Sequence, residues 1–279
     1  MLLDPKPLRS TLAFGEVSVF SAFRGYLDLR GKEVLEVGGQ IPTELAKKAE
    51  VKVWCAVDPR NPDFFEDGPI RTIRAPVMDA MLEQASFDLV FSCNAFQHIS
   101  GLQQTLDRLF AVTRPGGFLY SHFGPIWSAP DGSHIENLAV NGRVYNFWTD
   151  SILPSWSHLV FSENELYQIL LTAHSPVVSK AIAHYVYHSN WLNRTTYHEL
   201  MRIVRLSGWE VLFAVGCKEF GYDFVPPRLE HVLCRRLEST VLFPILREST
   251  GMNFDELNYR DIEILLRRPV LNNETSCRF

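Results

Sequence analysis

Two sets of residues in this 279-residue chain could do chemistry. The first is a glycine pair, Gly38-Gly39, with Asp58 standing 20 residues after Gly38. Without a Cβ, a glycine turn lets backbone come close to a ligand. An acidic side chain at that distance is placed to accept hydrogen bonds from two ribose hydroxyls. Charge-assisted bonds of this kind contribute roughly 1.5–3 kcal/mol each. The second set is His122 and His134, imidazoles able to take up a proton near neutral pH, in a stretch rich in Trp, Tyr, His and Ser.

The elements that must position the first set are legible on either side of it. Val34, Leu35 and Val37 form the apolar, β-branched run of a parallel strand covered on both faces. It stops at the glycines. Pro42 suits the first position of a helix that continues through Thr43–Ala49. Strand, glycine turn and helix N-terminus together make a site for a ligand with an anionic group. A second short strand, Val51–Val57, ends in Asp58. Nicotinamide dinucleotides and S-adenosylmethionine both carry a suitable ribose. The dinucleotide pattern G-x-G-x-x-G fits poorly, because Gly39, Gln40, Ile41, Pro42 and Thr43 follow Gly38.

Further landmarks follow in order. Pro76–Ala80 contains Asp79, Ser86–Asn94 reads as a fourth strand leading into Ala95–Ile99, and Arg114-Pro115-Gly116-Gly117 turns into a fifth, Phe118–His122. Over about residues 30–125 this series resembles the class I, Rossmann-like S-adenosylmethionine-dependent methyltransferases, of the type 11-like kind. The resemblance implies S-adenosylmethionine as methyl donor and S-adenosylhomocysteine as its product. It also implies a set of cofactor residues: Glu36, Gly38, Gly39, Gln40, Asp58, Pro59, Asp79, Ala80 and Asn94. Within that set Glu36 is the acidic residue two before the first glycine, Asp58 the ribose carboxylate, and Asp79 the acid that approaches the adenine. The family loop is usually E-x-G-x-G-x-G, whereas Gln40 and Pro42 hold the later glycine positions here. Contact through Gly38 and Gly39 is therefore expected ahead of contact through Gln40.

The implied fold is α/β: a seven-stranded, mostly parallel sheet with helices on both faces and a helical, aromatic lid inserted between strands five and six. Read as one domain over 1–279, the chain divides into four parts. Residues 8–30 predict a helix, with Phe14, Val17, Phe20, Phe23 and Leu27 at roughly helical spacing. Residues 31–123 form the cofactor half and 124–193 the insertion. Residues 194–279 complete the sheet. That last part holds an amphipathic helix over Thr196–Leu206, a sixth strand at Trp209–Val215, a helix at Pro227–Leu237 and a final strand at Asp261–Leu266. The final strand is expected antiparallel, beside the fifth.

In open α/β sheets ligands sit beyond the carboxyl ends of the strands, so an insertion there can roof the cleft. The stretch His122–Glu136 resembles a G-P-x-W…G-x-H pattern of some bacterial methyltransferases. Methyl transfer is an in-line displacement at carbon, in which the cofactor supplies reactivity and the protein alignment, water exclusion and sometimes a base. His134 is expected to remove the acceptor's proton, with His122 as its rival. A carboxylate acceptor would need no base. Trp127, Tyr145, Trp156 and Trp191 are expected to shape an apolar substrate pocket whose π faces suit a cation. Asp131, His134 and Glu136 lack a distinctive metal spacing and read as a solvated loop, so no metal is expected. Asp88, at the start of a strand, reads as structural.

Composition narrows the partners. A formal charge of −5 gives no overall pull toward nucleic acid or an anionic membrane. The N-P-P-Y-type tetrapeptide of base amino-methylation is absent after the fourth strand, where Ser92-Cys93-Asn94-Ala95-Phe96 stands. A small-molecule or short-peptide acceptor is therefore expected. A macromolecular substrate, or a non-catalytic or NAD-binding relative of the fold, is the alternative. Cysteines at 55, 93, 217, 234 and 277 form no C-x-x-C pair and read as reduced thiols. Met1–Pro7 lacks the apolar run of a signal peptide, and no run approaches the ~18 apolar residues that span a bilayer. The expectation is a cytoplasmic enzyme whose N-terminal helix and insertion offer a homodimer face.

Overall fold

A computed structural model describes residues 12–270, apart from Phe14, Gln40, Phe64, Ser151 and 219–238. Gln40, the helix expected at Pro227–Leu237, Cys234 and Cys277 thus lie outside the described residues. The chain begins with α1 (Glu16–Tyr26), β1 (Glu33–Val37), α2 (Thr43–Lys48) and β2 (Val53–Val57). Then come β3 (Glu66–Asp67), β4 (Ile70–Ile73), β5 (Phe87–Cys93), a 3₁₀ turn at Phe96–His98, α3 (Leu102–Val112) and β6 (Thr113–Phe123). After these follow β7 (Leu138–Val140), β8 (Arg143–Tyr145), α4 (Ser157–Val160), α5 (Glu163–Leu170) and α6 (Pro176–His188). The last described elements are α7 (Tyr197–Leu206), β9 (Glu210–Cys217), α8 (Ser239–Thr250), α9 (Phe254–Leu257) and β10 (Asp261–Arg267).

Two compact units result. One comprises 1–123, 200–215 and 262–279; the other comprises 124–199 and 216–261. The first holds a sheet of order β3-β4-β2-β1-β5-β6-β10-β9. Strands β4, β2, β1, β5 and β6 run parallel, and β10 lies antiparallel against β6 with Ile262 opposite Phe123. The sheet has eight strands rather than seven. The addition is β3, a two-residue antiparallel partner of β4, turned by Gly68 at φ +63°. So short a strand carries no hydrophobic period of its own. Its Asp67-Gly68 pair is the local sign of a hairpin.

An aromatic cluster holds α1 against one face of this sheet. Phe20 meets Trp54 at 5.7 Å between ring centroids, and Phe23 meets Phe91 at 5.0 Å and Tyr120 at 5.6 Å. All five side chains are buried. Such pairs add ~0.5–1.5 kcal/mol each beyond the area they remove from water. The helix is shorter than the 8–30 reading, because Leu27 turns to extended backbone and stops it. At the opposite edge Asp88 accepts the Glu33 N–H at 2.9 Å and pairs with Arg114 at 3.0 Å, fastening the start of β5 to that of β1.

The turn after β1 is fixed from within. The buried Glu36 carboxylate accepts the Ile41 N–H at 2.9 and 3.1 Å and the Trp54 indole N–H at 2.6 Å. Reaching Glu36 requires extended backbone just before the helix, so Pro42 (φ −51°, ψ 124°) caps α2 from outside and Thr43 is the first helical residue. That corrects the placement of Pro42 inside the helix. Gly38 has φ +84° and donates its N–H to the Val57 carbonyl at 3.0 Å. A Cβ built on Gly38 would lie 2.0 Å from Ala95 Cβ.

The second unit has its own core. Trp156, Leu166, Ile169, Leu170, Ile182 and Val186 from the first of its two chain excursions pack with Leu242, Leu246 and Leu257 from the second. Segment 216–261 therefore groups with the insertion, not with the sheet. A small β7–β8 ribbon turns at Asn141-Gly142, both at positive φ, a pairing suited to a two-residue hairpin.

Burial pushes the Glu36 carboxyl up to about 8 from an ordinary value of 4.5. The folded protein thus keeps a proton that the unfolded chain releases within that window, so stability declines as pH rises from about 4.5 to 8, by at most ~1.4 kcal/mol per pH unit. Glu36→Gln should flatten this decline. Denaturant unfolding at pH 5 and pH 8 checks it, and an equal decline in both proteins would refute the assignment.

Candidate functional site

Three neighbouring strands of the first unit end where the sequence places its cofactor residues. β1 lies between β2 and β5, and the connections leaving β1 (to β2) and β5 (to β6) run in opposite directions along the sheet. Such a switch point leaves a crevice at the carboxyl ends, where ligands of open α/β sheets bind. Gly38 and Gly39 follow β1, Asp58 follows β2 and Asn94 follows β5. Ser92 Oγ donates to the Val37 carbonyl at 2.9 Å, joining two of these strand ends. Glu36 stands one step further in. Its oxygens are taken by Ile41 and Trp54, so it positions the turn instead of presenting a carboxylate to the crevice.

Asp58 is buried, yet its carboxylate meets a cation. It accepts the Arg60 backbone N–H at 2.6 Å and the guanidinium Nε and Nη2 at 3.1 Å each. The Arg60 side chain is 64% exposed. Sequence reading passed over Arg60, although Asp-Pro-Arg is a sign of an Asx-type turn. Pro59 lies exposed within this turn. Asn94 adopts φ +48°; its N–H reaches the His122 carbonyl at 3.0 Å and its Nδ2 the Ala13 carbonyl at 2.7 Å. The Asn94 Oδ1 is buried and has no hydrogen-bond partner among the described residues. Asp79 is exposed in the loop after β4, the strand beside β2. Its neighbour Ala80 is buried and accepts Arg108 Nη2 at 3.1 Å.

His122 is buried near the carboxyl end of β6, level with Cys93 of β5 and Glu263 of β10. It therefore shares a sheet edge with Asn94. His134 belongs to the second unit, in a loop wrapped on Arg260. That guanidinium pairs with Asp131 at 2.9 Å and Asp261 at 2.8 Å, while the Arg260 carbonyl accepts the Ile126 N–H at 2.9 Å. The loop is buried, not solvated as its polar residues suggested, because Arg260 supplies the partners that water would have given. His134 has φ +42°, its ring lies 4.4 Å from that of Phe147, and its Nε2 is 3.5 Å from Glu136 Oε2. Glu136 also accepts the Trp191 indole N–H at 2.7 Å.

The aromatic residues expected at the substrate separate into two kinds. Trp156 is fully buried and gives its indole N–H to the Leu257 carbonyl at 3.0 Å, which makes it part of the second unit's core. Trp127 and Tyr145 each carry a cation of the protein over the ring, Arg194 at 5.6 Å and Arg143 at 4.7 Å. Sequence reading also passed over His158. Its Nε2 lies 2.6 Å from the Trp127 carbonyl, and burial lowers its protonation to about 4. It is therefore neutral at pH 7, with Nε2–H donating and Nδ1 left as an acceptor.

Comparison with known proteins bears on the first unit. Residues 38–121 match a family model described as a methyltransferase domain. Over 93 residues the chain is 36% identical to uncharacterized methyltransferases of Mycobacterium bovis and Mycobacterium tuberculosis. These alignments cover 31% of this chain and 47% of theirs, so the chain spans about half the length of the curated relatives it matches. In fold it is similar to a candidate S-adenosylmethionine-dependent methyltransferase of Listeria monocytogenes, with a TM-score of 0.50 and 10% identity over 91% of this chain and 100% of that one. Residues 38–121 are thus similar to a methyltransferase domain, and the chain shares its α/β fold with the Listeria protein.

Proposed function

We propose that this protein transfers a methyl group from S-adenosylmethionine to an oxygen or nitrogen of a small-molecule or short-peptide acceptor. The observation that carries this reading is the convergence of Gly38, Asp58 and Asn94 at three adjacent strand ends on a switch point. The residues present fit the donor. A side chain at Gly38 would collide with Ala95, so the turn can only be bare backbone. The buried Oδ1 of Asn94 lacks a hydrogen bond that a ligand ammonium could provide. Asp58 would hold the ribose, the Gly38-Gly39 backbone the amino-acid end, and Asp79, with Pro59 and Ala80, the adenine side. When bound, the donor supplies a methyl group on a positively charged sulfur, ready for displacement.

The chain's own residues then have defined tasks. Glu36 keeps the glycine turn in shape from beneath. Arg60 must release Asp58 before the ribose can take its place. With most of its guanidinium in solvent, that pairing contributes little, and water can replace it. On the acceptor side His134 removes a proton from a hydroxyl or amine, with His122 as its rival. Glu136 steadies the resulting imidazolium, and Trp191 holds Glu136 in place. Trp127 and Trp191 remain the candidates to line the acceptor, and the core positions of Trp156 and Tyr145 remove them from that set. The net acidity of the chain favours a compact acceptor over a nucleic acid. Cys55, Cys93 and Cys217 are buried and outside any disulfide, which suits a cytoplasmic setting. No helix among the described residues is long and apolar enough to cross a membrane.

Calorimetric titration with S-adenosylhomocysteine and with NAD tests the cofactor. The first should bind and the second should not, and Asp58→Ala should weaken binding by about 10- to 100-fold, the loss of one or two charge-assisted bonds. Unchanged affinity in Asp58→Ala would sink the proposal. A labelled-methyl assay across phenols, amines, peptide carboxylates and RNA then identifies the acceptor class. With a phenol or amine acceptor, His134→Ala should lower kcat by about 10²–10⁴-fold and leave donor affinity intact. Full turnover would dismiss His134 as the base.

A further inference from the structure

Away from the residues discussed so far, α5 and α6 bring two imidazoles and a carboxylate together. His184 and His188 are four apart on α6, so they occupy one face of the helix on successive turns. Their rings stack at 4.7 Å between centroids and 28° between planes. Glu163, the first residue of α5, faces both. Its Oε2 lies 2.8 Å from His188 Nε2 and its Oε1 3.7 Å from His184 Nδ1. One ligand atom from each of the three residues lies within 4.8 Å of the other two.

The geometry points to a site for a divalent transition-metal ion of the zinc type, held by His184, His188 and Glu163 and clipping α5 to α6. Two imidazoles and a carboxylate form a donor set that zinc accepts with water in the fourth position, and a His pair at i, i+4 on a helix is a recurrent way to supply two of them. In a tetrahedral zinc centre with bonds of roughly 2.0–2.1 Å, ligand atoms stand about 3.3 Å apart. The two observed separations, 2.8 and 3.7 Å, straddle that value. These two contacts use different oxygens of Glu163, and no two of the three ligand atoms are more than 4.8 Å apart, so closure of the site needs shifts of at most about 1.5 Å by side chains in solvent.

Both helices are held independently of the ion. Ser162 accepts the Glu165 N–H while Glu165 accepts the Ser162 N–H, a capping box that fixes the first turn of α5 where Glu163 sits. Packing of Leu166, Ile169 and Leu170 with Val178, Ile182 and Val186 anchors the two helices in the same core. His184 and His188 lie toward the C-terminal end of α6, where the helix dipole favours a cation. Without an ion, a single carboxylate must serve two stacked imidazoles. A metal satisfies all three at once.

The test uses the full chain, freed of any affinity tag and treated with chelator, titrated calorimetrically with zinc. The wild type should bind one more equivalent than His184→Ala/His188→Ala, and Glu163→Gln should weaken that equivalent about fivefold or more. Zinc should also raise the wild-type melting temperature by roughly 2 °C or more, and leave that of the double variant unchanged. Magnesium, which prefers oxygen ligands, should do neither. All three side chains are exposed, so the variants retain the fold. Equal zinc stoichiometry and affinity in wild type and double variant would overturn the site, as would an equal thermal shift in both. Neither result bears on the methyl-transfer reading, which rests on other residues.

Discussion

The grip of a buried carboxylate on a glycine turn is the constraint on which the rest of the first unit depends. Glu36 holds the Ile41 N–H and the Trp54 indole together, so β1, its exit loop and β2 meet at one pair of oxygens. A carboxyl so enclosed resists ionisation, and its hydrogen bonds offset only part of that cost. What the arrangement secures is a turn of one shape. With Ile41 tied down, Gly38 is pressed against Ala95, while a Cβ on Gly39 would meet nothing nearer than Glu36 Oε1 at 4.0 Å. Removing the grip would free two glycines, the residues with the most conformations to explore.

How much of this could be read from residues alone depended on how local each signal was. The strand ending at Gly38 and Asp58 at the end of the next strand are set by neighbours in sequence, whereas the antiparallel β10 beside β6 was implied by the family resemblance; the structure has all three. The identity of Glu36 as an acidic residue was legible, but its commitment to Trp54, 18 positions away, was not. Likewise Arg60 on Asp58 follows from the way this turn folds back on itself. Trp156 marks the opposite error. An indole in an aromatic-rich insertion suggests a ligand surface, while its N–H on the Leu257 carbonyl, 101 residues on, places it in a core. The polar stretch 126–136 misled for a related reason: its partner, Arg260, comes from the far end of the chain.

Cations recur where the sequence suggested open aromatic faces. Arg143 lies over Tyr145 and Arg194 over Trp127, and Arg194 also donates to the Val186 and Ser189 carbonyls. A guanidinium over a ring stiffens both partners and leaves one face for anything else. The second unit thus reads as a set of preorganised polar joints around an apolar centre, in contrast to the aromatic interior of the sheet.

That second unit is assembled from two separate excursions of the chain, 124–199 and 216–261, whose side chains interlock in one core. Neither excursion can be lifted out or exchanged without stripping the other of its packing partners. Divergence among descendants of this protein would then proceed by point changes spread over both excursions, since transplanting one loop would leave half an interior facing water. Drift at Leu246 and at Ile182 should accordingly be correlated, although 64 positions of sequence separate them.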